Sequence, residues 1–209
     1  MRRRTFDLLA SFTGLVLAVV LAAAGALMLW AYNYVGNEVH NQLVNQQIYF
    51  PPKAAFAHPK AGTEITPAMI PSVSQYAGQQ LLSGAQAKVY ADNFIAQHLY
   101  DMPYHGVYAK ISTAARAATP GSTQATSLAS LEQTSFQGTT LRSMLLEAYA
   151  FGTMGSIAGW GSVVAFAGAG VLLVLTGLGF VHARRVDPEI EVLNGRQEHG
   201  EAPPLSKAV

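Results

Sequence analysis

The chain has 209 residues, a formal net charge of +1, half of its residues hydrophobic and only 12% charged. An ordinary soluble domain carries about 25% charged residues. The near-neutral balance argues against nucleic acid as a partner, and the absence of cysteine excludes disulfides and thiolate metal ligands.

Residues 1–7 form a basic start that includes Arg2, Arg3 and Arg4. The run Leu8–Trp30 has no ionisable side chain. As a helix it would rise about 35 Å, enough to cross a hydrocarbon core of about 30 Å. A cleaved secretory signal is the competing reading. Arg3-Arg4-Thr5-Phe6 echoes a twin-arginine signal and Ala22-Ala23-Ala24 resembles a cleavage site. The apolar run, however, is longer than the about 7–15 residues of a signal core.

Residues 31–159 follow as one polar-to-mixed segment. Tyr34, Val35, Val39, Leu43 and Val44 recur at helical spacing, so the first helix is expected to continue until Pro51-Pro52 stops it. Lys53–Tyr76 reads as irregular, with a short helical turn starting at Thr66-Pro67. Ser83-Gly84-Ala85-Gln86 fits a capping box. The helix it opens places Ala87, Ala91, Phe94, Ile95 and His98 on one face and ends at Asp101-Met102-Pro103. A further helix is expected over Val107–Ala118, then a break at Pro120-Gly121-Ser122. A last pattern starts near Ser127, is interrupted at Gly138, and resumes through Leu141, Met144, Leu145, Ala148 and Tyr149. It leads into a second uncharged run, Trp160–Val181, which would rise about 33 Å. Residues 182–209 read as a disordered tail, or as a docking peptide for a cytoplasmic partner.

Orientation follows from the flanking charges. Arg2, Arg3 and Arg4 precede the first run, and Arg184 and Arg185 follow the second. The positive-inside rule then puts both termini in the cytoplasm. Trp30, Tyr32, Tyr34, Tyr149, Phe151 and Trp160 gather at the opposite interface, as an aromatic belt does. The expected fold is an all-α membrane protein. Two transmembrane helices form a hairpin extended outside the membrane, with a small helical extracytoplasmic domain inserted between them. In that domain Lys53, Lys60, Lys88, Lys110, Arg116 and Arg142 balance Glu38, Glu64, Asp92, Asp101, Glu132 and Glu147.

Residues able to carry chemistry are sparse. Gly14, Ala18 and Ala22, and likewise Gly161, Ala165 and Ala169, form small-residue rows four apart, the pattern that lets helices approach closely in lipid. These rows pack on each other or on a partner. His98 and His105 lie near Asp101 in sequence and could converge with it on a metal, but no HxH, HxxxH or HExxH spacing occurs. There is no GxSxG, no SxxK, and neither a phosphate loop nor a dinucleotide fingerprint. Tyr90, Phe94 and Tyr108 form either a face for a hydrophobic ligand or ordinary core.

The segments RRRTFDLLASFTGLVLAVVL, YAGQQLLSGAQAKVYADNFIAQHL and LRSMLLEAYAFGTMG resemble an uncharacterised actinobacterial family of two-pass membrane proteins, often labelled aromatic ring-opening dioxygenase. The resemblance covers nearly the whole chain except the tail. It implies a plasma membrane of the high-GC Gram-positive type. The iron ligand set that the label requires has no counterpart in these residues. The expectation is a non-catalytic accessory or scaffolding subunit of a membrane complex, without cofactor, in contact with lipid and with other membrane proteins or itself. The alternative is an extracytoplasmic module that binds a lipid or hydrophobic ligand.

Overall fold

The computed structural model describes residues 3–57, 59 and 65–186. Arg2 and the tail from 187 onward lie outside the described residues. Among those described, the chain is helical with no strand. Two helices dominate: α1, Arg3–Val44, and α7, Thr123–Arg185, of 42 and 63 residues. Both are long and apolar enough to cross a membrane, and only 11% and 17% of their most apolar windows are buried by the rest of the chain. The core helix of a soluble protein would be mostly buried. Here Val19, Val20, Val164 and Val174 stand more than half exposed, a surface that water would not tolerate at this scale.

The chain divides into two compact units, Met1–Leu27 with Gly161–Val209, and Met28–Trp160. In the first unit α1 and α7 meet through small and hydroxyl side chains. A Cβ at Gly14 would lie 2.6 Å from Thr176 Oγ1, and one at Gly179 would overlap Ser11. Gly25 lies against the Phe166 ring, where a Cβ would sit 3.2 Å from it. Ser11, Ala18, Ser162, Ala165, Ala169 and Thr176 are buried along this seam.

The second unit is built from the inner parts of α1 and α7 and the short elements between them. These are α2, Lys53–Ala57; α3, Ile70–Val73; α4, Gly84–Tyr90; α5, Ala96–Asp101; and α6, Tyr108–Ala117. A wide π turn, Ala91–Ile95, joins α4 to α5. The core gathers Leu43, Phe50, Phe56, Val73, Leu81, Ala87, Phe94 and Leu145. Phe50 is its hub, with its ring centroid 5.3 Å from Tyr76, 5.6 Å from Tyr90 and 6.2 Å from Phe94. Each such buried ring or branched chain contributes about 1.5–3 kcal/mol. Backbone bonds hold the hub in place: Phe50 N–H donates to Gln79 O and Leu81 N–H to Ile48 O, both 2.9 Å.

Several sequence expectations change. α1 ends at Val44, not at Pro51-Pro52, because Gln47 turns left-handed (φ 52) and Gln80 Nε2 donates to the terminal carbonyl of Val44 at 2.9 Å. Lys53–Tyr76 is not wholly irregular: it holds α2, α3 and a 3-10 turn at Ser74–Tyr76. Residues 67–69 form a turn, and helix begins only at Ile70, with Pro71 in the first turn. Gly138 does not interrupt α7; it makes room for Leu99, whose Cδ2 would lie 2.8 Å from a Cβ there. The Val107–Ala118 helix forms as Tyr108–Ala117, with those two residues as its caps. His98, expected on the apolar face, is exposed. The π turn explains this: each of its residues advances less around the axis than in an α-helix, so everything after Ala91–Ile95 is rotated away from the expected face.

The capping box forms as read, with reach beyond the helix end. Gln86 Oε1 accepts from Leu82 N–H (2.9 Å), Ser83 N–H (3.1 Å) and Ser83 Oγ (3.1 Å), while Gln86 Nε2 donates to Gln79 (3.0 Å). Replacing Gln86, which is 8% exposed, by alanine strands these donors. Equilibrium unfolding of Gln86→Ala should show a loss of about 1–3 kcal/mol, and hydrogen exchange at Leu82 and Ser83 should rise first.

Candidate functional site

Among the described residues of the second unit, polar clusters and grooves stand out. The first cluster sits on the π turn. A π turn widens the backbone, and Ala91 O, already accepting from Ala96 N–H, also accepts from Arg142 Nε of α7 at 3.3 Å. Arg142 Nη2 donates to Asp92 Oδ1 at 2.9 Å, and Lys88 Nζ bonds Asp92 Oδ2. The hydrogen bond from Lys88 holds the Asp92 carboxyl below its ordinary range against a partial burial that pushes it up, with Arg142 adding to the lowering. The same bond to Asp92 raises the Lys88 ammonium. Lys88 also sits over the Tyr149 ring, 5.4 Å from its centroid. This cluster ties the short helices to α7.

The second cluster is a left-handed turn. Tyr104, His105 and Gly106 have φ of 61, 53 and 62 degrees. The two non-glycine residues are costly there. They are held by the His105 ring stacked on Tyr100 (4.5 Å), by His105 Nδ1 against Tyr100 O (3.1 Å), and by the wholly buried Ser135, whose Oγ donates to Gly106 O at 2.7 Å. His105 is thus engaged locally. Among the described residues no group of His, Cys, Asp or Glu side chains could hold a metal ion, so His98, Asp101 and His105 are not gathered into a ligand set.

The other predicted residues fall as follows. Ala18, Ala165 and Ala169 are buried and Gly14 faces Thr176, so these members of the small-residue rows are spent where α1 meets α7; Ala22 and Gly161 are half-buried. Arg3, Arg4, Arg184 and Arg185 are exposed near the helix ends. The Tyr90 and Phe94 rings lie 5.0 Å apart and tilted to one another, with Phe94 inside the core. Tyr108 packs elsewhere, on Phe136 at 6.0 Å. The three therefore do not form one ligand face.

Concave surfaces lie instead along α1 and α7. One groove, about 440 Å³, runs between residues 34–43 of α1, with Gln46 in the turn just after it, and residues 144–151 of α7. Tyr34, Met144 and Phe151 on it are 57%, 57% and 54% exposed, and Glu38 and Glu147 are exposed without a cationic partner among the described residues. The spacing of Met144, Glu147, Ala148 and Phe151 in sequence was the available signal. The other groove, about 420 Å³, is polar and includes Tyr32, Asn33, Gly36, Thr153 and Ser156. Gly36 stands inside α1, where glycine costs about 1 kcal/mol relative to alanine. No atom lies within 4 Å of a Cβ placed there, so packing does not require it.

In the first unit, Asp7, Ser11, Thr176 and His182 line a cleft of about 280 Å³, with Asp7 Oδ2 3.9 Å from His182 Nε2.

The sign of the Asp92 effect sets a pH test. A depressed carboxyl stabilises the fold above its unfolded value, near pH 4, and that contribution fades as pH falls through the folded value. The raised Lys88 acts oppositely, stabilising below about pH 10.4 and fading above it. The stability gap between the natural protein and Asp92→Asn should be flat between these limits and shrink on both sides, as read by urea unfolding across pH.

Comparison with known proteins finds no family model that matches the chain, no curated protein and no solved structure similar to it.

Proposed function

We propose that this chain is a two-pass plasma-membrane protein that serves as a non-catalytic accessory or scaffolding subunit of a larger membrane assembly. The spans are the apolar parts of α1 and α7, arranged as a hairpin, and residues 31–159 form the extracytoplasmic domain inserted between them. Support for two spans comes from their length, their composition and the small fraction the chain itself buries. Support for a common side for both termini comes from Asp7 and His182. They lie 3.9 Å apart near the start of α1 and the end of α7, beside Arg3, Arg4, Arg184 and Arg185.

The observation that carries the scaffolding role is the groove between α1 and α7. Buried Val39 and Leu43 line it, exposed Tyr34, Met144 and Phe151 border it, and Glu38 and Glu147 bring two unpaired negative charges to it. A groove between two helices with apolar lining and acidic edges suits a partner helix with an apolar stripe and flanking Lys or Arg. The small-residue rows do not supply this interface, because α1 and α7 largely use them on each other.

Two experiments test the reading. The chain has no cysteine, so single cysteines report topology cleanly. In intact cells a membrane-impermeant maleimide should label Lys110→Cys and leave Thr5→Cys unlabelled; the reverse pattern would invert the topology. Purification of the tagged protein from native membranes should bring down a reproducible set of membrane subunits. The double variant Glu38→Lys/Glu147→Lys should lose them by about tenfold or more, as expected for reversed charges at an interface. Recovery of the natural protein alone, or with one lipid at fixed stoichiometry, would favour the lipid-binding alternative instead.

A further inference from the structure

The polar groove is chemically unlike the groove assigned to a partner helix. No Asp, Glu, Lys or Arg lines it, and His40 stands among its amide and hydroxyl side chains. Its hydroxyl groups on α7 donate to their own helix, Thr153 Oγ1 to Tyr149 O (2.9 Å) and Ser156 Oγ to Gly152 O (3.0 Å), while Asn33 Nδ2 gives one of its two hydrogens to Leu29 O (2.9 Å). Thr153 and Ser156 still offer oxygen lone pairs, and Asn33 and Asn37 offer amide oxygens and N–H groups, so the groove suits a ligand whose groups both donate and accept hydrogen bonds. Tyr32 supplies an apolar surface beside them. Its ring lies on Gly159, where a Cβ would come within 2.9 Å of it, and the residue is 45% exposed. Gly36 keeps the floor open although nothing packs against it.

An uncharged ligand with many O–H donors and an apolar C–H face is a carbohydrate. We propose that the groove of Tyr32, Asn33, Gly36, Thr153 and Ser156 is a binding site for a neutral sugar. Thr153, Ser156 and Asn33 accept from sugar hydroxyls, and Tyr32 stacks on the ring. The volume of about 420 Å³ lies within the range of small-ligand sites. Two sources share this chemistry: the headgroup of a membrane glycolipid and a free glycan. The site stands whether or not the other groove holds a partner helix.

The test uses the full chain in phosphatidylcholine nanodiscs, prepared without alkyl-glycoside detergent, whose headgroup would compete. One arm adds cellobiose and reads saturation-transfer NMR from protein to sugar protons. The other arm includes monoglucosyl diacylglycerol in the disc and reads, by native mass spectrometry, how much of it is retained over phosphatidylcholine. Signal in either arm is expected; signal in the lipid arm alone identifies a headgroup, and signal with cellobiose a free glycan. Gly36→Leu puts a side chain at a position where a Cβ meets nothing within 4 Å, and it should reduce the signal about tenfold while thermal unfolding is unchanged or raised. Thr153→Val/Ser156→Ala removes two acceptors and should cause a similar loss, the equivalent of about one hydrogen bond's free energy. Silence in both arms, or a signal that survives both variants, overturns the site.

Discussion

Close approach to α7 is the constraint on which the rest depends. At many contacts one partner is a glycine. Gly179 receives Ser11, Gly168 receives Leu21, Gly155 receives Val35 and Gly159 receives Tyr32. The short helices dock the same way: Gly84 packs on the backbone of Ala148, where a Cβ would lie 2.7 Å from its carbonyl oxygen, and Gly138 admits Leu99. Without a Cβ at these positions two backbones can come near enough, within each unit, for dispersion and weak polar contacts to act. Bulky side chains are then left to point outward, and that is what produces two long helices whose apolar residues stay uncovered.

The same economy of volume creates the grooves. In the second unit α1 and α7 touch through Val35–Gly155 and Tyr32–Gly159, and the space beside such narrow contacts is open unless another element fills it. The short helices fill some of it around Phe50 and Leu145. They are fixed there by directional bonds as much as by burial: Gln80 on the end of α1, Gln86 at the start of α4, and Arg142 reaching from α7 to Ala91 and Asp92. The two grooves described above differ in what lines them: Glu38 and Glu147 among apolar side chains in one, amide and hydroxyl side chains with His40 in the other. That difference separates a surface suited to a helix from one suited to a sugar.

Much of the helical plan was legible from residues near one another in sequence. The uncharged runs Leu8–Trp30 and Trp160–Val181 require helix in lipid, since a backbone there must satisfy its own hydrogen bonds. The Ser83–Gln86 box and the stop at Asp101-Met102-Pro103 are local signals and hold. Signals failed where a distant residue supplied the deciding interaction. Gly138 reads as a helix breaker until Leu99 is seen against it. α1 ends at Val44, where the left-handed Gln47 turns the chain and Gln80, far along it, adds a bond to the Val44 carbonyl. The π turn had no local mark, and it alone moved His98 from the expected core face to the surface.

The sequence by itself determined the long apolar helices, the neutral charge balance of the intervening segment and the absence of thiol chemistry, because these follow from composition and from contacts within a few residues. Only the tertiary structure decided which surfaces remain for function. Phe94, a candidate ligand residue by pattern, is consumed by the core around Phe50, whereas Gly36 and Thr153, unremarkable in sequence, line an open groove. The physical reason is that a groove is made of space between elements. Such space depends on how closely helices distant in sequence approach, which no local pattern records.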